Sequence, residues 1–319
     1  MLYAILTILG LAVFEIISSI DNAVINAEVL NKMSQKSRRW FLFWGLIIAV
    51  FLIRGLLPFG IFWAANPSLS INQVFTAMFS GDEEIMQAVE ASSPLLLTGG
   101  GVFLIFLFLH WLFIEPKNYG LHIEPFFHAQ GVWFYAAVSI FLATITWFSL
   151  QINPMMAFSA VVGSTAFFIT HGFKEYAEKK ERELVEGSGM GDMSKIMYLE
   201  VIDATFSIDG VVGAFAFTLS VPLILIGNGI GAFVVREMTI RNVKNVKKYI
   251  YLKNGAMYSI LVLGAVMLFD SFGYHIPEWL SPMSTFCILG YFFWRSHDHL
   301  KKNGESKADS VEEKDELKK

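Results

Sequence analysis

Apolar residues fill this chain in runs too long for a soluble core, and the polar residues collect in short stretches between them. Runs such as Trp40–Ala65, Leu95–Ile114 and Tyr251–Phe269 each reach the roughly 20 residues that carry a helix across about 30 Å of hydrocarbon. The period-two alternation of a membrane barrel strand is absent. The pattern predicts an all-α, polytopic membrane helix bundle of about nine spans, near 3–30, 40–64, 94–115, 130–150, 154–173, 195–218, 221–238, 250–269 and 282–300. Residues 1–30 read as a retained first span. They lack a basic n-region, and Glu15, Asp21 and Glu28 interrupt the apolar stretch that a signal peptide keeps intact.

Charge sets the orientation of that bundle. Lys32, Lys36, Arg38 and Arg39 follow the first span; Lys174, Lys179, Lys180 and Arg182 follow the fifth. Arg236, Arg241, Lys244, Lys247 and Lys248 surround the end of the seventh, and Lys301 and Lys302 follow the ninth. With nine spans all of these fall on one side, and the positive-inside rule makes that side cytoplasmic, with the N-terminus outside. The loop near 65–93, with Asp82, Glu83, Glu84 and Glu90 and no Lys or Arg, then falls outside. The expected location is the bacterial inner membrane. The chain divides into a first half of the transmembrane core (1–115), linking spans and cytoplasmic loops (116–193), a second half (194–300) and a disordered cytoplasmic tail (301–319).

Composition narrows the function. At 55% hydrophobic, 16% charged and a mean hydropathy of +0.53, the chain needs lipid as its solvent. A net charge of −4 with scattered basic residues leaves no nucleic-acid footprint. The single cysteine, Cys287, rules out a thiolate metal site, so metal chemistry must use oxygen and imidazole.

Carboxylates nevertheless stand inside two spans. The first contains Glu15-Ile-Ile-Ser-Ser19-Ile-Asp21-Asn22 and the sixth Asp203-Ala-Thr-Phe-Ser207-Ile-Asp209-Gly210, both acid-x-x-x-Ser-x-Asp, with Glu200 just ahead of the second copy. Four spans lie between them, so the sixth span crosses in the opposite direction to the first, the pattern of an inverted repeat whose binding site lies near the midplane. Glu15 and Ser19 share one helix face, as do Glu200, Asp203 and Ser207, while Asp21 and Asp209 sit about 120° around. Either protein encloses each helix on most sides or the helix breaks at its motif, which Gly210 and Gly213 would ease. Facing lipid, five carboxylates would cost on the order of 10 kcal/mol. Arg54 and Arg236 are too few to neutralise five acids. Surplus carboxylate beside Ser and Asn is what a hard divalent cation requires, and Mn²⁺, Ca²⁺ and Mg²⁺ all fit.

The match to a known pattern extends past these motifs. Gly45-x-x-x-Ala49-x-x-x-x-Arg54-Gly55, Asn228 with Arg236 eight residues on, Tyr251-Leu252-Lys253-x-Gly255-Ala256 running into Leu263-Gly264, and His275-Ile276-Pro277 resemble the TerC family of integral membrane proteins, in the LysE-like transporter superfamily. The resemblance covers most of the chain; longer segments at 65–93 and 116–129 mark a divergent branch. It implies an association with tellurium resistance and, as in several members, manganese efflux. Carried over by motif, Glu15, Asp21, Asn22, Asp203 and Asp209 are the cation ligands, Ser19, Ser207 and Glu200 support them, and Arg54 and Arg236 act as counter-charges or gating partners.

No P-loop and no Asp-Lys-Thr-Gly phosphorylation motif is present, so the expectation is a secondary exporter of Mn²⁺, coupled to protons that the carboxylates release when metal binds. The alternative is a membrane scaffold that docks cytoplasmic tellurium- or stress-resistance proteins, its metal site structural. A third reading gathers His110, Glu115, His122, Glu124 and His128 into an intramembrane metalloenzyme centre. These residues lack a His-Glu-x-x-His pair and are interrupted by Pro116 and Pro125, so no enzyme is expected. His171 and Glu175, spaced i, i+4, mark a membrane interface.

Overall fold

The computed structural model of the protein describes residues 2–19, 23, 26–27, 29–30, 33–45, 47–48, 54–65, 70–80, 83–186, 191–241 and 248–316. Among them every regular element is helical. In chain order these are α1 (Leu2–Ser18), α2 (Gln35–Trp40), a π-helical turn (Phe41–Gly45), α3 (Arg54–Ala65), α4 (Ile71–Ser80), α5 (Glu83–Phe113) and α6 (Glu124–Ala129). A 3₁₀ turn (Gly131–Trp133) leads into α7 (Phe134–Ile152), followed by α8 (Pro154–Glu186), α9 (Asp192–Ala214), α10 (Val221–Arg241), α11 (Leu252–Ser271) and α12 (Leu280–Glu316).

Among the described residues, five stretches are long and apolar enough to cross a membrane: Ala91–Phe113, Gly131–Ile152, Pro154–Tyr176, Val221–Met238 and Leu252–Ser271. They coincide with five of the nine expected spans. The other four fall on α1, which is apolar but short, on α2 and α3 with the π turn between them, on α9, which carries Glu200, Asp203 and Asp209, and on α12, whose apolar part holds Ser281, Ser284, Thr285, Arg295 and Ser296.

Two segments differ from expectation. The stretch 65–93, read as an outer loop, holds α4 and the first turns of α5. α4 packs there because Val74 is buried and Phe75 meets Phe59 edge-on at 6.2 Å. The polar 301–319 segment, read as disordered, continues α12 to Glu316, since its Lys, Glu and Ala are good helix formers.

α5 is the hub. It runs parallel to α8, with Ser159 Oγ donating to Leu95 O, Gly163 against Gly99, Phe167 against Phe103 and Phe106, and His171 against His110. A Cβ at Gly163 would stand 2.1 Å from Gly99 O, so only glycine permits this approach of the two backbones. α11 packs antiparallel on the other side of α5, Gly101 meeting Leu268 and Gly264 meeting Leu104 and Ile105. α7 leans on α8 at the periphery and leaves Tyr135, Ile140, Trp147 and Phe148 exposed, a face suited to lipid.

The site-bearing helices form the opposite flank. α1 runs parallel to α10, with Leu11 on Gly227 and Glu15 on Gly231. It runs antiparallel to α9, with Tyr3 donating to Phe217 O, Phe14 on Gly213 and Glu15 on Gly210. α2 is tied to the start of α9 by Ser34 N donating to Asp192 Oδ2 at 3.0 Å. That bond, with those from the Ser34 and Ser37 side chains, holds the Asp192 carboxyl below its usual range.

Candidate cation site

Glu15 lies near the end of α1, 1% exposed, in a space that two glycines keep open. A Cβ at Gly210 would lie 2.7 Å from its Oε2, and one at Gly231 2.6 Å from its Cβ. Arg54, at the start of α3, pairs with Oε1, which also accepts a 2.9 Å hydrogen bond from Ser19 Oγ. The charges of Asp203 and Glu200 also reach Arg54. α9 does not break at Gly210 or Gly213: it runs unbroken to Ala214, and those glycines instead receive Glu15 and Phe14. Enclosure by α1, α3, α5, α8, α10 and α11 is what shelters its acids.

Arg236 of α10 organises the second cluster. Its Nη2 stands 3.4 Å from Glu200 Oε1 and 3.3 Å from Asp203 Oδ2, its Nη1 donates to Phe41 O at 2.9 Å, and its guanidinium lies 4.1 Å over the Phe41 ring. A Cβ at Gly45 would fall 1.9 Å from Glu200 Oε1, so the π-helical turn brings bare backbone against this carboxylate. Asp209, farther along α9, pairs with Lys174 of α8.

Several buried side-chain polar atoms in this region have no hydrogen-bond partner among the described residues: Glu200 Oε2, Ser207 Oγ, Asp209 Oδ1 and both the oxygen and the nitrogen of the Asn228 amide, with Asn26 Oδ1 in the segment after α1. Buried polar atoms of this kind are rare in folded proteins, and each calls for a cause.

Of the sequence-predicted residues, Glu15, Ser19 and Arg54 form one linked group, and Glu200, Asp203 and Arg236 a second. Asp209 stands in a third with Lys174, and Ser207 is buried between the motif acids of α9. Asp21 and Asn22 lie outside the described residues. Among the described residues no three His, Cys, Asp or Glu side chains converge closely enough to hold a metal ion on their own. The acids are instead spread along three cations, one more than the two arginines expected. Lys174 was read as a loop charge, but α8 continues through it to Glu186. Asn228 and Asn26 were not named as ligands; their polar side chains within apolar surroundings are the signal that marks them.

The histidine cluster weighed as a third reading separates into parts. His110 Nδ1 lies 3.4 Å from Glu115, which Lys253 also holds at 3.0 Å, and the His110 ring centroid is 3.9 Å from that of His171. His171 keeps its i, i+4 partner Glu175 at 3.5 Å. Glu124 is fully buried and accepts from Gly120 N at 2.7 Å and Asn254 Nδ2 at 2.9 Å, tying the 116–129 segment to α11. His128 bonds Tyr119 at 2.8 Å. The five residues therefore do not share one centre. Lys117 closes the end of α5 by donating to the carbonyls of Trp111 and Leu112, and burial lowers its ammonium to about 8.

Against known families, residues 20–303 match the one described as protein of unknown function, DUF475. No curated protein and no solved structure matches the chain.

Proposed function

The chain belongs to the DUF475 family, whose description names no activity, and from its buried charge we propose a secondary transporter that exports a divalent cation, manganese foremost, across the bacterial inner membrane. The observation that carries this reading is the set of partnerless buried oxygens, Glu200 Oε2, Ser207 Oγ, Asp209 Oδ1 and Asn228 Oδ1, on helices that also hold a surplus of acid. Four described carboxylates, Glu15, Glu200, Asp203 and Asp209, face three cations, and the sequence adds Asp21. Desolvating so many charges stabilises nothing that apolar residues would not stabilise better.

Hard oxygen donors suit Mn²⁺, Ca²⁺ and Mg²⁺ alike, and the TerC-like patterns favour Mn²⁺. In this reading the arginines hold the empty site together, and the entering ion draws oxygens from them. Protons taken up by vacated carboxylates on the outer side and released on metal binding supply the coupling. The antiparallel contact of α1 with α9 is the meeting of two inverted-repeat copies, with the N-terminus outside and the C-terminus cytoplasmic.

Inside-out vesicles loaded with a manganese-quenched dye test this directly. Wild-type protein accumulates Mn²⁺ and alkalinises the lumen. Asp203→Asn and Asp209→Asn reach the membrane in normal amount and accumulate none. Undiminished accumulation by both variants refutes the proposal.

A further inference from the structure

Three cations hold the acids of this site, and they are not equivalent. Arg54 is 4% exposed in its side chain and shares Glu15 with Ser19. Arg236 grips two carboxylates and a backbone carbonyl and stacks on Phe41. A planar guanidinium fixed at several points is slow to leave. Lys174 brings a compact ammonium on a flexible four-carbon stem, and it rises from α8 near the end of that helix's apolar stretch, next to Glu175, whose side chain is 73% exposed. An exposed carboxylate is therefore the lysine's immediate neighbour along the helix. Asp209, its partner, has its other oxygen, Oδ1, buried without a hydrogen bond, so half of this carboxylate stands ready for a ligand while the ammonium occupies the other half.

We propose that Lys174 is a tethered stand-in for the transported ion, occupying Asp209 in the empty site and giving it up only to a divalent cation, so that the lysine excludes Na⁺ and K⁺. The inference rests on the cation-transport reading above. The physical reason is a comparison of charges at one carboxylate. A monovalent ion arriving from water exchanges one unit of charge for another, and it loses translational freedom that the tethered ammonium has already lost. It gains nothing. A divalent ion brings twice the charge into the same low-dielectric position, and its attraction to Asp209 and the neighbouring acids exceeds that of the ammonium it displaces. Released, Lys174 extends to the cytoplasmic surface, the ordinary disposition of a lysine at the end of an apolar stretch.

The test uses the purified full chain in lipid nanodiscs, with Mn²⁺ binding read in NaCl and in choline chloride at one ionic strength, on the order of 0.1 M. Wild type binds Mn²⁺ with the same affinity in both salts. Lys174→Met binds Mn²⁺ at least about tenfold more tightly in choline, and Na⁺ takes most of that gain away. Lys174→Arg, which keeps the charge but pins it, binds more weakly than wild type. On unmodified protein, Mn²⁺ speeds acylation of Lys174 by an amine-reactive reagent, followed by mass spectrometry, which keeps the test open if a variant fails to fold. Mn²⁺ binding by wild type that is lost in Asp209→Asn, with no gain and no sodium sensitivity in Lys174→Met and no change in acylation, overturns the lysine's role and leaves the transporter standing. Absence of Mn²⁺ binding in wild type and every variant overturns the transporter itself.

Discussion

The seam between α5 and α8 and the cluster on α1, α9 and α10 are built on opposite principles within one bundle. Along the seam, Gly99 and Gly163 bring two backbones together and Phe103, Phe106 and Phe167 pack edge to face beside them, so contact surface does the stabilising. In the cluster, glycines at 45, 210 and 231 make room for carboxylates instead of for each other. Small residues serve helix contact in the first region and charge accommodation in the second. The seam is what any helical membrane protein needs; the cluster opposes stability, and the transport proposal rests on that cost.

Breaking one partner of the cluster has the largest expected effect. Arg54→Met leaves Glu15 buried beside Ser19 without its cation, and we expect a loss of about 3–5 kcal/mol in unfolding free energy, read by denaturant titration in mild detergent. Adding Glu15→Met recovers most of that loss, because no uncompensated charge remains, yet the double variant transports nothing. A double variant as unstable as the single one would make the pair structural and erase the distinction between the regions. In the seam, Gly163→Ala forces its methyl onto Gly99 O and costs about 1–3 kcal/mol in the same measurement. Its transport per folded molecule stays near wild type, whereas reduced turnover at full stability would show that the seam also serves the ion.

The same contrast explains what the sequence disclosed. A helical membrane bundle was legible because 20-residue apolar runs have one stable form in lipid, and the acids of α1 and α9 stood out because each violates that rule. Lys174 did not stand out. A lysine just past an apolar run can snorkel to water or turn inward, and hydropathy is the same for both; only the packing of α8 on α9 chooses. The contact of His110 with His171 was hidden for a related reason, since it depends on α5 and α8 running parallel in the register set by Gly99 and Gly163. The choice between enclosure and a break at Gly210 could not be made from α9 alone, because it is the neighbours of the helix that make a straight course tolerable. The 65–93 segment misled because its acidic residues suggest a solvated loop, although Ile71, Val74 and Phe75 recur at helical spacing.

Lys117 gives the smallest effect and the sharpest separation of the two principles, because it is a charge at the end of the seam with no site to serve. Burial depresses its ammonium from 10.5 to about 8 in the folded protein. Between those values the unfolded chain binds more protons than the folded one, so stability rises as pH increases from about 8 to about 10.5 and is flat below that window. The side chain is only partly buried, and water screens much of the term. The measurement is the difference in melting temperature between wild type and Lys117→Met at about pH 7 and about pH 10. We expect the difference to move in favour of wild type by a few degrees at the higher pH. A difference that stays constant would mean that the lysine acts by the packing of its aliphatic stem alone, and that neither its burial nor the ammonium's place 4.4 Å over the Trp111 ring depends on charge. Burying an unneeded charge in the seam would then carry no penalty, and the inference from buried charge to function in the cluster would lose its footing.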